Sequence, residues 1–160
     1  MTTLLLALTC FLAADSLTGK VVKVTDGDTI TILVENQQIK IRLNEIDAPE
    51  HDQDFGQKSK EALADLVFEK EVRIVTHGED RYGRTIGDVF VGQTNVNEKL
   101  VEEGWAWNFL KYSKSKRLAE LEKEARASKK GLWAGNAPIA PWDYRAEEAR
   151  QKAEKKAKAR

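Results

Sequence analysis

Residues 20–43 read KVVKVTDGDTITILVENQQIKIRL, and their apolar positions recur at every second residue. Val22 and Val24, then Ile30, Ile32 and Val34, then Ile39, Ile41 and Leu43 give a period of two. That period predicts three half-buried strands. Asp26-Gly27 interrupts the first pair and Asn36-Gln37 the second, so the connections are short and antiparallel. Beyond Pro49 the period changes. Ala62, Leu63, Leu66 and Val67 lie on one face of a helix that Gly56 or Gln57 opens. Strands resume at residues 72–75 and 85–91, a short helix fits Val96 to Glu103, and a longer one fits Ser115 to Lys130, closed by Gly131. Five short strands with one helix between the third and fourth, and two more helices at the end, predict an α+β fold. Its centre is a five-stranded antiparallel barrel of the OB type, which removes sheet edges by closing on itself, with three α-helices around it.

The 160 residues suffice for one compact domain. Apolar side chains make up 41%, enough for a core, and the 32% that are charged exclude a membrane-spanning bundle. Lys and Arg balance Asp and Glu at 26 each, but unevenly along the chain. Residues 15–109 hold 11 basic and 19 acidic side chains, whereas residues 110–160 hold 15 and 7. An acidic body therefore carries a basic end, and affinity for polyanions is expected to be modest and salt-sensitive. Residues 143–160 alternate Ala with charge and have no apolar stripe after Tyr144; they are read as a charged, net basic tail on a domain spanning residues 15–142, a solvated or frayed helix in preference to a basic arm that tethers polyanions. Pro141-Trp142 is expected to dock this end onto the barrel. The apolar run from Leu4 to Ala14 is too short to span a bilayer. Residues 1–14 are read as a signal peptide, which implies a secreted or periplasmic chain with no stable membrane association after processing. Cys10 is the single cysteine, so no intramolecular disulfide forms, and with only two histidines a Cys/His zinc site lacks ligands.

Three carboxylates stand apart by their setting. Asp28 follows a glycine turn at the head of the second strand; Asp47 and Glu50 flank Ala48-Pro49 beyond the third. Adjacent antiparallel strands can bring these ends together, and hard divalent cations take oxygen ligands from several segments. From spacing alone, an equally good account is that Asp26 and Asp28 only make a turn and Asp47 caps a loop. An EF-hand is excluded, because its sixth and twelfth positions here are Thr31 and Gln37 where Gly and Glu are needed. Arg42 lies inside the third strand and Arg84 opens the fifth. A guanidinium fork matches a phosphate bidentately, so two forks beside a carboxylate-bound cation suit the phosphorane of a phosphodiester under attack. Trp105, Trp107 and Phe109 are read as core, and His51 as an exposed loop residue.

Residues 24–29 (VTDGDT), 41–50 (IRLNEIDAPE) and 80–84 (DRYGR) resemble, in order and spacing, the three signature segments of the thermonuclease, or staphylococcal nuclease-like, family. The resemblance covers residues 17–133. It implies that Asp28 and Asp47, with the backbone carbonyl of Ala48, ligate Ca²⁺, and that Glu50 is the general base. It further implies that Arg42 and Arg84 act on the phosphate and that Tyr82 and Tyr112 contact the nucleotide. Where the best-known members have Thr, this chain has Ala48. The implied activity is endonucleolytic cleavage of single-stranded DNA and RNA by a monomer, leaving 3′-phosphate ends. The alternative is an inactive OB module that binds single strands or a protein partner, which has no reason to keep all five of Asp28, Arg42, Asp47, Glu50 and Arg84.

Overall fold

The computed structural model describes residues 16–135 and 137–159; the run read as a signal peptide lies outside the described residues. Five long strands carry the fold: β1 (Ser16–Asp26), β2 (Thr29–Val34), β3 (Gln37–Leu43), β5 (Glu71–Glu79) and β6 (Thr85–Val91). Two-residue strands β4 (Ile46–Asp47), β7 (Thr94–Asn95) and β8 (Trp107–Asn108) accompany them. The order in the main sheet is β3-β2-β1-β5-β6-β7, and a further pairing of β3 with β6 closes it. The ladders are antiparallel apart from this seam, where Ile41, Arg42 and Leu43 run parallel to Thr85, Ile86 and Gly87. A closed barrel leaves its long strands no free edges, and the chain has the predicted OB-type α+β architecture.

The expected inward positions hold in β2 and β3, where Ile30, Ile32, Ile41 and Leu43 are buried, although Thr29 and Thr31 of β2 are buried as well; in β1 the set shifts by one residue. Val21 and Val24 are buried there and Val22 is not. A break in register against β2 lies between Val21 and Lys23. Val22 is the extra residue of a bulge, which moves the buried set to the other parity.

Among the described residues the α-helices number four, not three: α1 (Gly56–Val67), α2 (Val96–Glu102), α3 (Lys116–Ala127) and α4 (Pro141–Lys158). In α1 the buried residues Ser59, Leu63 and Val67 recur at the helical spacing. The side chains of Asn95 and Ser115 accept from the third N–H of α2 and α3 respectively, capping both starts. α3 stops short of the predicted Lys130, because Lys129 takes the left-handed conformation and the Lys130 N–H turns back to the Ala125 carbonyl. α4 has no apolar stripe, which is why sequence patterning gave it no fold role. It forms from strong helix formers, with Pro141 at its first position and pairs such as Glu147–Arg150 and Glu148–Lys152 along it. The helix runs through residues 142 and 143, across the limit drawn between domain and tail. Among the described residues no helix is long and apolar enough to cross a membrane.

Candidate functional site

The side chains singled out from sequence converge on one open cleft of about 1200 Å³ at the end of the barrel. Gly27 makes the first approach possible. A Cβ there would lie 2.7 Å from the Ala48 Cβ and 2.8 Å from the Ser59 Cβ, so only glycine lets the turn before β2 press against the segment after β4. Asp28 then accepts the Ala48 N–H at 2.8 Å through Oδ2 and the Thr29 hydroxyl at 3.1 Å through Oδ1. Asp47 is fixed by the pairing of β4 with β8, opposite Trp107, and is only 1% exposed.

Arg42 joins the two aspartates. Its Nη2 is 2.9 Å from Asp47 Oδ1 and 3.0 Å from Asp28 Oδ2, while Nη1 donates to the carbonyls of Leu43 and Ile46. Two buried carboxylates thus meet at a single nitrogen. Burial pushes the Asp47 carboxyl above its ordinary range, and the charge of Asp28 adds to this against the hydrogen bonds and charges of Arg145 and Arg42. Asp26, behind them, is raised to about 7, mainly by burial and then by the charge of Asp28. The site concentrates negative charge in a desolvated place, where cations neutralise it most effectively.

Glu50 sits in the loop between β4 and α1, about a third exposed. Its backbone is held from both sides by Gln53, whose side-chain oxygen accepts the Glu50 N–H at 3.1 Å and whose own N–H reaches the Glu50 carbonyl at 3.0 Å. Gln53 is buried, and its amide donates to the Ile139 carbonyl at 2.6 Å. Gly56 packs directly beneath the Glu50 carbonyl, with no room for a Cβ. Gly56→Ala is therefore expected to destabilise the protein by about 1–3 kcal/mol, the usual range for overpacking, as measured by urea unfolding; an unchanged midpoint would show that the loop gives way freely.

On the opposite wall Arg84 is aimed by Asp80. Oδ1 of Asp80 accepts the backbone N–H of Tyr82 at 2.9 Å and of Arg84 at 3.0 Å, and Oδ2 accepts Arg84 Nε at 2.7 Å. Burial works to raise the Asp80 carboxyl, but these bonds outweigh it and hold it below its ordinary range. Tyr82 and Tyr112 stand at the two rims, 68% and 65% exposed. Tyr112 meets Phe109 edge-on at 4.9 Å, and Phe109 stacks flat on Trp142 at 5.3 Å. Phe109 is thus part of the cleft wall and not of the core, in contrast to Trp107, which is buried against Trp133. His51 is exposed and lies outside the cleft.

Three participants escaped the sequence reading. Gln53 carried no signal, since its role depends on a loop conformation. Asp80 lies in a quoted segment, and its spacing to Tyr82 and Arg84 is that of an Asx turn, which could have revealed it. Arg145 lies in the segment read as tail, yet its guanidinium reaches Asp47 Oδ2 at 2.7 Å and Glu50 Oε1 at 2.6 Å.

Among the described residues no group of three or more His, Cys, Asp or Glu side chains is arranged to hold a metal ion. Asp28, in the turn before β2, and Asp47, in β4, are two hard oxygen donors from separate segments that line the cleft and meet at Arg42 Nη2. That donor set fits a hard divalent cation that keeps much of its shell as water or as ligand oxygen.

A protein-family model described as "Staphylococcal nuclease homologue" matches residues 40–135. The chain is 45% identical over 151 residues to an "Uncharacterized endonuclease" of Haemophilus influenzae, covering 92% of this chain and 85% of that protein. It is 44% identical over 138 residues to a "Micrococcal nuclease" of Shigella flexneri, covering 79% of each. With three signature segments brought to one cleft of an OB-type barrel, and with relatives this similar over most of its length, the chain belongs to the staphylococcal nuclease-like family.

Proposed function

We propose that the chain is a Ca²⁺-dependent endonuclease that hydrolyses single-stranded DNA and RNA. The observation that carries this is the placing of two buried carboxylates, a third at the cleft surface and two arginines around one cleft rimmed by exposed tyrosines. The nuclease names of the relatives support it. Bases stack on Tyr82 and Tyr112, which read any sequence because every base has a π-face. Asp28, Asp47 and the Ala48 carbonyl hold Ca²⁺, which when bound polarises a phosphoryl oxygen. Glu50 takes a proton from a water whose oxygen bonds to phosphorus. The bond from phosphorus to the 5′ oxygen breaks, that oxygen takes a proton from solvent water to end as a hydroxyl, and the phosphate stays on the 3′ side. Arg84 and Arg42 neutralise the charge that builds on the phosphorane. The apolar run from Leu4 to Ala14 supports export, with the mature protein acting as a monomer outside the cytoplasm.

Cation replacement tests this reading. Cleavage of single-stranded DNA and RNA is expected in millimolar-range Ca²⁺, as suits a site offering so few protein ligands, and to stop in chelator. Mg²⁺ should substitute badly, since it demands tight octahedral geometry and sheds water reluctantly. Full activity in Mg²⁺ with Ca²⁺ removed would contradict the assigned site, and binding without cleavage in every cation would return the chain to the inactive-module alternative.

The turn that aims Arg84 gives a second expectation. Asp80→Asn keeps the oxygen that accepts the Tyr82 and Arg84 N–H groups but removes the charge opposite the guanidinium. Turnover is expected to fall by about tenfold, the order of one charge-assisted hydrogen bond, with the unfolding midpoint nearly unchanged. Steady-state kinetics on a short oligonucleotide would check it; unaltered turnover would mean that Arg84 aims itself.

A further inference from the structure

The contact between the C-terminal helix and the acidic cleft concerns how the cation enters. Nη2 of Arg145 donates to Asp47 Oδ2 at 2.7 Å, and Nη1 to Asp47 Oδ1 at 3.3 Å and to Glu50 Oε1 at 2.6 Å. Asp47 Oδ1 also accepts Arg42 Nη2. A carboxylate offers about four acceptor positions, so three of those on Asp47 are taken by two guanidinium groups. Ca²⁺ sits at about 2.3–2.6 Å from its oxygens. A cation on Asp47 would therefore stand within roughly 4–5 Å of the Arg145 guanidinium if it stayed, at the separation where like charges in a partly buried site repel strongly.

The helix itself does not need this contact. Its buried anchor is Pro141, its ring contact is Trp142 on Phe109, and the ion pairs beyond Arg145 are internal to the helix. Arg145 lies one turn after Pro141, on the face that meets the barrel. It is 41% exposed, with water available to take the guanidinium when it leaves.

We infer that Arg145 is a positioning residue that clamps Asp47 to Glu50 while the cation site is empty, and that a divalent cation must displace it from Asp47. The clamp keeps two like charges together at a cost to cation affinity, and displacement leaves the oxygens of Glu50 open to water. By linkage, whatever holds Arg145 on Asp47 weakens the cation by the same factor, and the reverse. This rests on the cation reading proposed above, and the test separates the two.

Calorimetric titration of Ca²⁺ into the full-length chain is compared with Arg145→Gln, Arg150→Gln and Asp47→Asn, each checked by circular dichroism. Arg145→Gln is expected to bind Ca²⁺ about tenfold more tightly. Arg150→Gln removes the same charge from the same helix at a residue whose ion pair is with Glu147, and should bind as wild type does. Asp47→Asn should lose at least tenfold. Unchanged or weaker binding in Arg145→Gln, or equal tightening in Arg150→Gln, would overturn the inference. Wild-type affinity in Asp47→Asn, or no binding to any of the proteins, would overturn the cation reading and the inference with it. A second readout needs no variant: arginine side-chain NMR should show hindered rotation about the Cζ–Nη bonds of Arg145 without calcium and free rotation at saturating calcium. Hindrance that persists at saturation would also overturn it.

Discussion

Replacing Glu50 by Gln is expected to lower turnover by roughly 10²–10⁴-fold while leaving the fold and substrate affinity nearly intact. Gln matches Glu in size, and the backbone bonds from Gln53 that seat this position do not involve its side chain. The amide cannot accept a full proton from water, so the loss falls on the chemical step. The outcome separates Glu50 from Asp47, whose replacement, under the proposed cation site, would remove a ligand and raise the calcium requirement. Calcium titrations of cleavage by the two variants would show this difference, and wild-type turnover in Glu50→Gln would remove it as the base.

Arg42→Lys is expected to cost about 10²–10³-fold in turnover, the scale for removing one preorganised donor group. The structure gives this residue more to do than grip a phosphate. Its two terminal nitrogens make four contacts, to Asp28, Asp47 and the carbonyls of Leu43 and Ile46. A lysine keeps the charge but presents one nitrogen where the fork presents two. The carbonyls or one aspartate then go without a donor, and a drop of about 1–3 kcal/mol in unfolding free energy should accompany the kinetic loss. Urea unfolding and steady-state kinetics on the same preparation would check both. A kinetic loss with unchanged stability would mean that the guanidinium serves the phosphate alone. The effects of Glu50 and Arg42 need not add, because in the proposed mechanism both serve one transition state.

The barrel was legible because its strands obey a local rule. Ile30, Ile32, Ile39, Ile41 and Leu43 alternate, and the alternation survives into the core. The rule failed at Val22, since a bulge is a property of two strands in register and leaves little trace in one of them. It failed again for α4, where the helix rests on propensity and internal ion pairs and has no apolar face to read. The site divides in the same way. Asp28, Arg42, Asp47, Glu50 and Arg84 lie in short segments whose spacing is a family's own, and the fold brings all five to one cleft. Gln53 and Arg145 act across 86 and 98 residues of sequence. Which arginine of a basic tail will reach a carboxylate depends on where the helix docks; Trp142 was legible as the docking residue, but its partner Phe109 was not.

The most direct test of the account is the chemistry of the products. A short single-stranded oligonucleotide is incubated with the protein in calcium, and the fragments are weighed by mass spectrometry, with a chelator-treated sample beside it. The account predicts internal cleavage in calcium alone, to fragments ending in 3′-phosphate and beginning in 5′-hydroxyl. Fragments of the opposite polarity, or an oligonucleotide that is bound and left whole in calcium, would contradict it.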